Sequence, residues 1–150
     1  SAAASGFIYI ASDDLKLATE VLDALQDRRP DARAFACMTL GYVFGVRATA
    51  IPILTNLIRD PDRDVAVNAI DALRLFGSGH SNVVAALLGV LSDSPSLRET
   101  ILSSLSNIRS LPANAGPVLQ QFVGDPNLRV ASLAKQALSN VHAKTWPLDK

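Results

Sequence analysis

Four aspartates, Asp27, Asp60, Asp93 and Asp125, stand 33, 33 and 32 residues apart along this chain. Each leads within three residues to a proline and then to a run of small and apolar residues: Asp27-Arg-Arg-Pro30, Asp60-Pro61, Asp93-Ser-Pro95, Asp125-Pro126. The leucines Leu40, Leu73, Leu105 and Leu138 keep the same beat, at 33, 32 and 33 residues. A fixed period of this length marks a stack of small supersecondary units, each unable to bury its apolar face alone. It constrains the architecture far more than the function, because repeat stacks bind many kinds of partner.

Each copy reads as two helices around the Asp/Pro turn. In the second, Ile51, Leu54, Leu57 and Ile58 share one face of a first helix, with Pro52 expected in its first turn, where the missing N–H costs little. Asp60-Pro61-Asp62 stops that helix and offers caps to the next. Val65, Ala66, Ala69, Ala72, Leu73 and Phe76 stripe the second helix, which Gly77-Ser-Gly79 ends. The third copy repeats this with Val84, Leu87, Leu88 and Leu91, then Leu97, Ile101, Leu105 and Ile108. The fourth does so with Pro117, Leu119, Phe122 and Val123, then Val130, Ala134, Ala137, Leu138 and Val141. The first offers Val21, Leu22 and Leu25, then Ala36, Leu40 and Val43. Small residues one and four before the repeat leucine (Ala36, Ala69, Ala72, Ala134, Ala137) allow close helix approach.

Composition agrees. Apolar residues make up 49% of the chain but aromatics only 5%, so the apolar mass is aliphatic and suits helix packing. Twelve of the fourteen acids are Asp, a poor helix-interior residue and a good cap. Fourteen basic residues balance the acids, unlike the basic footprint of a nucleic-acid binder or a membrane anchor.

Carried back one period, Phe7 matches Leu40, Ile10 matches Val43, Gly6 matches Thr39 and Ala3 matches Ala36. Residues 1–11 are therefore expected to form the second helix of an incomplete preceding repeat, a short strand over 7–10 being the rival reading. The expected divisions are a half repeat at 1–12, repeats at 13–46, 47–79, 80–111 and 112–142, and a tail at 143–150. A fifth repeat would begin near Leu148. Either Trp146-Pro147 folds over the last apolar face as a cap, or the chain is a piece of a longer array.

These residues resemble the HEAT repeat family, especially its short bacterial type, also found in phycobilisome-lyase-like proteins. The family pattern has a Pro early in the first helix, an Asp at the turn, then Val-Arg and a terminal Ala-Leu. Ile51-Pro52, Leu57, Asp60, Val65, Ala69 and Ala72-Leu73 follow it, as do Gly116-Pro117, Phe122, Asp125, Val130, Ala134 and Ala137-Leu138. The family's Arg after the Val position is present as Arg33 and Arg98 and replaced by Ala66 and Ala131, so an Asp–Arg ladder is only partly available. The resemblance spans residues 14–142. It implies an all-α fold, a right-handed α-solenoid of about four two-helix repeats. The Trp/Leu-Gly/Tyr pattern of tetratricopeptide repeats and the Thr-Pro-Leu-His pattern of ankyrin repeats are missing.

Chemical motifs are sparse. Cys37 is the sole cysteine, lies in an apolar context and reads as a buried, inert thiol. His80 and His142 have no second His or Cys at ligand spacing, and neither precedes a Glu as in HEAT-like di-iron enzymes. Asp60, Asp62 and Asp64 lack the Gly and Glu of a calcium loop and read as a capping turn. Gly77-Ser-Gly79 follows a helix rather than a strand, which fails the context of a phosphate loop. No catalytic, metal or cofactor site is expected. Apolar stretches such as 34–46 are too short to span a bilayer, and no charged segment precedes the apolar residues 7–11 as in a secretion signal. A cytoplasmic protein is expected.

The outward face of the second helices, which lines the concave side in HEAT stacks, is the candidate binding ridge. It carries Phe35, Met38 and Tyr42, then Asn68, Asp71, Arg74 and Leu75, then Thr100 and Ser103, running from apolar to polar. Phe35, Met38 and Tyr42 are either exposed for a partner or covered by residues 1–11. Arg28, Arg29, Arg59 and Arg63 form a mixed edge with the turn aspartates. The leading expectation is a non-catalytic scaffold for another protein. A chromophore-lyase-type subunit and a nucleic-acid binder are the alternatives, the latter disfavoured by zero net charge. Self-association through the solenoid ends is a further expectation.

Overall fold

The computed structural model describes residues 15–41, 43, 46–76 and 80–142. Among them the chain forms eight α-helices in sequence order. In one compact unit, Ser1–Phe76, these are α1 (Leu15–Ala24), α2 (Pro30–Leu40), α3 (Arg47–Leu57) and α4 (Arg63–Phe76). In the other, Gly77–Lys150, they are α5 (Ser81–Asp93), α6 (Arg98–Ser106), α7 (Ala115–Gln120) and α8 (Leu128–Ser139), with a 3-10 turn at Pro95–Leu97 before α6. The half-repeat helix expected over residues 1–11, the Gly77–Gly79 helix stop and the cap at Trp146-Pro147 lie outside the described residues.

The periodic aspartates work as turn formers. A carboxylate oxygen of Asp27 accepts the Arg29 N–H, that of Asp60 the Asp62 N–H, and that of Asp125 the Asn127 N–H, each at 2.9 Å. This Asx turn breaks the first helix and aims the chain into the second. The caps follow directly. Asp62 Oδ1 accepts from the N–H groups of Asp64 and Val65 at the start of α4, and Asn127 Oδ1 from those of Arg129 and Val130 at the start of α8. The triplet Asp60, Asp62, Asp64 is thus a capping turn, and no cluster of metal-ligating side chains occurs among the described residues. Pro30 opens α2 at its first position, and Pro117 is the third residue of α7.

Pro52 departs from expectation. α3 starts at Arg47, so Pro52 lies inside the helix rather than in its first turn. The ring removes one helical hydrogen bond and crowds the carbonyl of Ala48, yet the extra upstream turn persists. Ala50 and Ile51 are buried at 0% and 3% exposure, so packing of that turn outweighs the backbone penalty.

The apolar stripes form the core. Leu40, Leu73 and Leu105 are fully buried, as are Leu25, Leu54, Leu87, Leu91 and Ile101. Ala36, Ala69, Ala72, Ala134 and Ala137 are buried between helices. In each unit the second helices meet, α2 with α4 and α6 with α8. The junctions share a register. A Cβ placed on Gly41 would stand 2.6 Å from Leu75 Cδ1, and at the equivalent positions Asn140 Nδ2 donates to the Ser106 carbonyl at 2.8 Å.

Cys37 sits in the α2–α4 junction at 1% exposure, and burial pushes its thiol up to about 12. Alkylation of Cys37 in the native protein is therefore expected to run at least ~100-fold slower than in denaturant. Rapid native labelling at neutral pH would show that this junction opens readily.

Candidate functional site

Two features of the repeats reach the surface in organised form, an ionic ladder at the turns and a groove on the second helices.

The ladder uses the two arginines that match the family pattern. Arg33 donates from Nε and Nη2 to the two carboxylate oxygens of Asp60, both at 2.9 Å, while its Nη1 donates to the carbonyls of Asp27 and Arg28. One guanidinium thus ties the first turn to the second. The side chains are 15% and 6% exposed, so the fork-on-fork pair is largely shielded from water. Burial pushes the Asp60 carboxyl up, but hydrogen bonds from Arg33 and the Asp62 N–H, with the Arg33 charge, outweigh it and hold the group below its ordinary value. In the second unit Arg98 Nη1 stands 3.5 Å from Asp125, and the guanidinium lies over the Phe122 ring at 4.9 Å. The Arg29–Asp27 and Arg129–Glu99 pairs are exposed.

The groove lies between α2 and α4 and has a volume of about 400 Å3. Cys37, Gly41 and Ala72 line its inner part, with Met38 and Leu75 beside them; Asn68, Asp71 and Arg74 complete the lining. Met38 is 58% exposed and Leu75 50% exposed, so both offer apolar surface to solvent. The helix pattern explains the arrangement. Asn68, Asp71, Ala72 and Leu75 follow at three- and four-residue steps and so share a face of α4. Gly41, which closes α2, leaves the space that Leu75 enters.

The structure brings five of the expected ridge residues, Met38, Asn68, Asp71, Arg74 and Leu75, around this one groove. Phe35 stands on α2 outside its lining and is 69% exposed. Tyr42 lies outside the described residues. Thr100 and Ser103 are half-buried on α6 in the other unit, where the Ser103 carbonyl accepts from Ser106 Oγ and Asn107 Nδ2. Sequence reasoning missed Cys37, Gly41 and Ala72 as groove lining. The available signal was Gly41 itself, a glycine where the other copies have Arg74, Ser106 and Ser139.

An all-helical chain with two-helix units, periodic Asx turns and second helices packed on each other is a helical-repeat protein of the α-solenoid class. The HEAT repeat family profile matches residues 18–106 and again 51–139. The chain belongs to the HEAT repeat family. Two crystal structures of engineered proteins share its fold. One has a TM-score of 0.63 at 20% identity over 89% of this chain and 69% of that one. The other has a TM-score of 0.62 at 21% identity over 89% of this chain and 41% of that one. No curated protein matches the chain. No helix among the described residues is long and apolar enough to cross a membrane.

Proposed function

We propose that the chain is a non-catalytic protein-interaction scaffold whose first unit receives an apolar side chain of a protein partner in the α2–α4 groove. One observation carries this reading: Met38 and Leu75 are both more than half or half exposed beside a concave site on the helices that the repeat register turns outward. Apolar surface gathered at a concavity and rimmed by polar groups suits partner binding better than solvent. Asp71 and Arg74 supply one charge of each sign at the rim, which fits a polypeptide's mixed surface rather than a polyanion. Phe35 adds apolar area on α2, and Thr100 and Ser103 hold the corresponding register positions in the second unit as polar contacts. HEAT repeats commonly serve protein–protein interaction, which supports the same reading.

The test is affinity capture from cell extract with the full chain, followed by titration of the recovered protein. Met38→Asp and Leu75→Asp are expected to weaken binding about tenfold or more, with the helical circular dichroism retained. Phe35→Asp is expected to have a smaller effect. Undiminished binding by both groove variants would remove the groove from the interface.

A further inference from the structure

Four large apolar side chains stand exposed among the described residues, and three of them, Phe35, Met38 and Leu75, belong to α2 and α4. They are neighbours. Phe35 and Met38 are one helical step apart on α2, and Gly41, one step further, makes room for Leu75 of α4. The floor beside them, Cys37, Gly41 and Ala72, is made of small residues. Single apolar residues scattered over a surface need no explanation, whereas a continuous patch of them marks an interface.

Asp71 and Arg74 complete this surface with one charge of each sign. Neither makes an ion pair or a side-chain hydrogen bond among the described residues, although they lie three residues apart on one helix. Charges at the turns of the same unit are satisfied, Arg29 by Asp27 and Arg33 by Asp60. The other polar residue of the lining, Asn68, donates from Nδ2 to the Asp64 carbonyl of its own helix at 2.8 Å. The groove thus keeps one anion and one cation open beside an apolar centre, and such a patch is self-complementary. A two-fold axis crossing α4 midway between residues 71 and 74 sets the acid of one copy against the base of the other, twice. The two positions are separated by roughly 4.5 Å of helix rise, so both pairs form in one contact between antiparallel α4 helices. Met38 and Leu75 stand beside that axis, so the two apolar patches cover one another. Fourteen basic and fourteen acidic residues leave the copies without net repulsion.

We infer, on the reading of this groove as a protein-binding site, that its occupant is a second copy of this chain. The two copies form an isologous dimer in which Asp71 of each pairs with Arg74 of the other around a centre of Met38 and Leu75. A second copy is favoured over an unrelated protein because the same surface supplies the apolar cover, the cation for Asp71 and the anion for Arg74 at the spacing required.

Sedimentation velocity of the full chain over a dilution series is expected to show a monomer–dimer equilibrium and no larger species. Asp71→Arg and Arg74→Asp each place like charges across the axis twice, and each is expected to weaken the dimer about tenfold or more. Mixed in equal amounts, the two variants restore both pairs, one chain carrying two arginines and the other two aspartates. A mixed dimer approaching the wild-type affinity is expected. Mixing alters neither chain's own sequence, so this recovery separates a lost contact from a damaged helix, with the circular dichroism of each variant as the control. A wild type that stays monomeric at its highest soluble concentration would overturn the second copy. So would a dimer that both charge variants leave unchanged, an assembly that grows past two copies, or a mixture that stays monomeric. A monomeric wild type that still binds another protein through Met38 and Leu75 would keep the groove as a protein-binding site and overturn its self-pairing alone.

Discussion

Leu40→Ala and Leu105→Ala are each expected to lower unfolding free energy by about 2–5 kcal/mol in urea titrations followed by circular dichroism. Both side chains are fully buried, and each lies at the period's own leucine position, in a different unit. The loss has two sources, transfer of the missing methyl groups and the cavity left among Ala-rich helices that are already packed closely. Leu128→Ala is the control. Leu128 starts α8 at 83% exposure, so the change is expected to stay within about 0.5 kcal/mol. Equal losses at all three sites would mean that the period does not mark the core.

Asp60→Ala is the second large effect, expected at about 2 kcal/mol. The substitution removes both oxygens that Arg33 grips and the acceptor that forms the second Asx turn. At 6% exposure the carboxylate is shielded, so water restores these hydrogen bonds only in part. Arg29→Ala, at an exposed pair, is expected to change nothing measurable. The acid dependence follows from the lowered pKa of Asp60. A carboxyl with a folded value below its unfolded value of about 3.9 contributes fully above that pH. Its contribution is lost as the pH falls through the folded value. Wild type and Asp60→Ala are therefore expected to differ fully near neutral pH and to converge in strong acid. A gap that persists unchanged into strong acid would show that the charge of Asp60 is not what stabilises the turn.

Much of this was legible in the residues because it is local. Apolar stripes at helical spacing, the Asx turns at Asp27, Asp60 and Asp125 and a cap at Asp62 or Asn127 are written within one turn of chain. The Arg33–Asp60 and Arg98–Asp125 partners were legible at one remove, through the family pattern. The position of Pro52 was not, because burial of Ala50 and Ile51 extends α3 upstream against the preference of proline for a first turn. The groove was legible in part. Register turned Met38 and Leu75 outward, but nothing local announced that Gly41 makes room for Leu75.

The sequence by itself determined the helix pairs, the turn chemistry and most of the buried positions. Each of these depends on period, propensity and side-chain length, which a linear pattern carries. Only the tertiary structure decided which outward residues share a site and which repeat positions stay open. Met38, Asp71 and Leu75 meet because α2 and α4 pack side by side, and Leu138 is half-buried where Leu40, Leu73 and Leu105 are fully buried. Those outcomes depend on the distance and facing of helices far apart in the chain, quantities that side-chain period alone does not set.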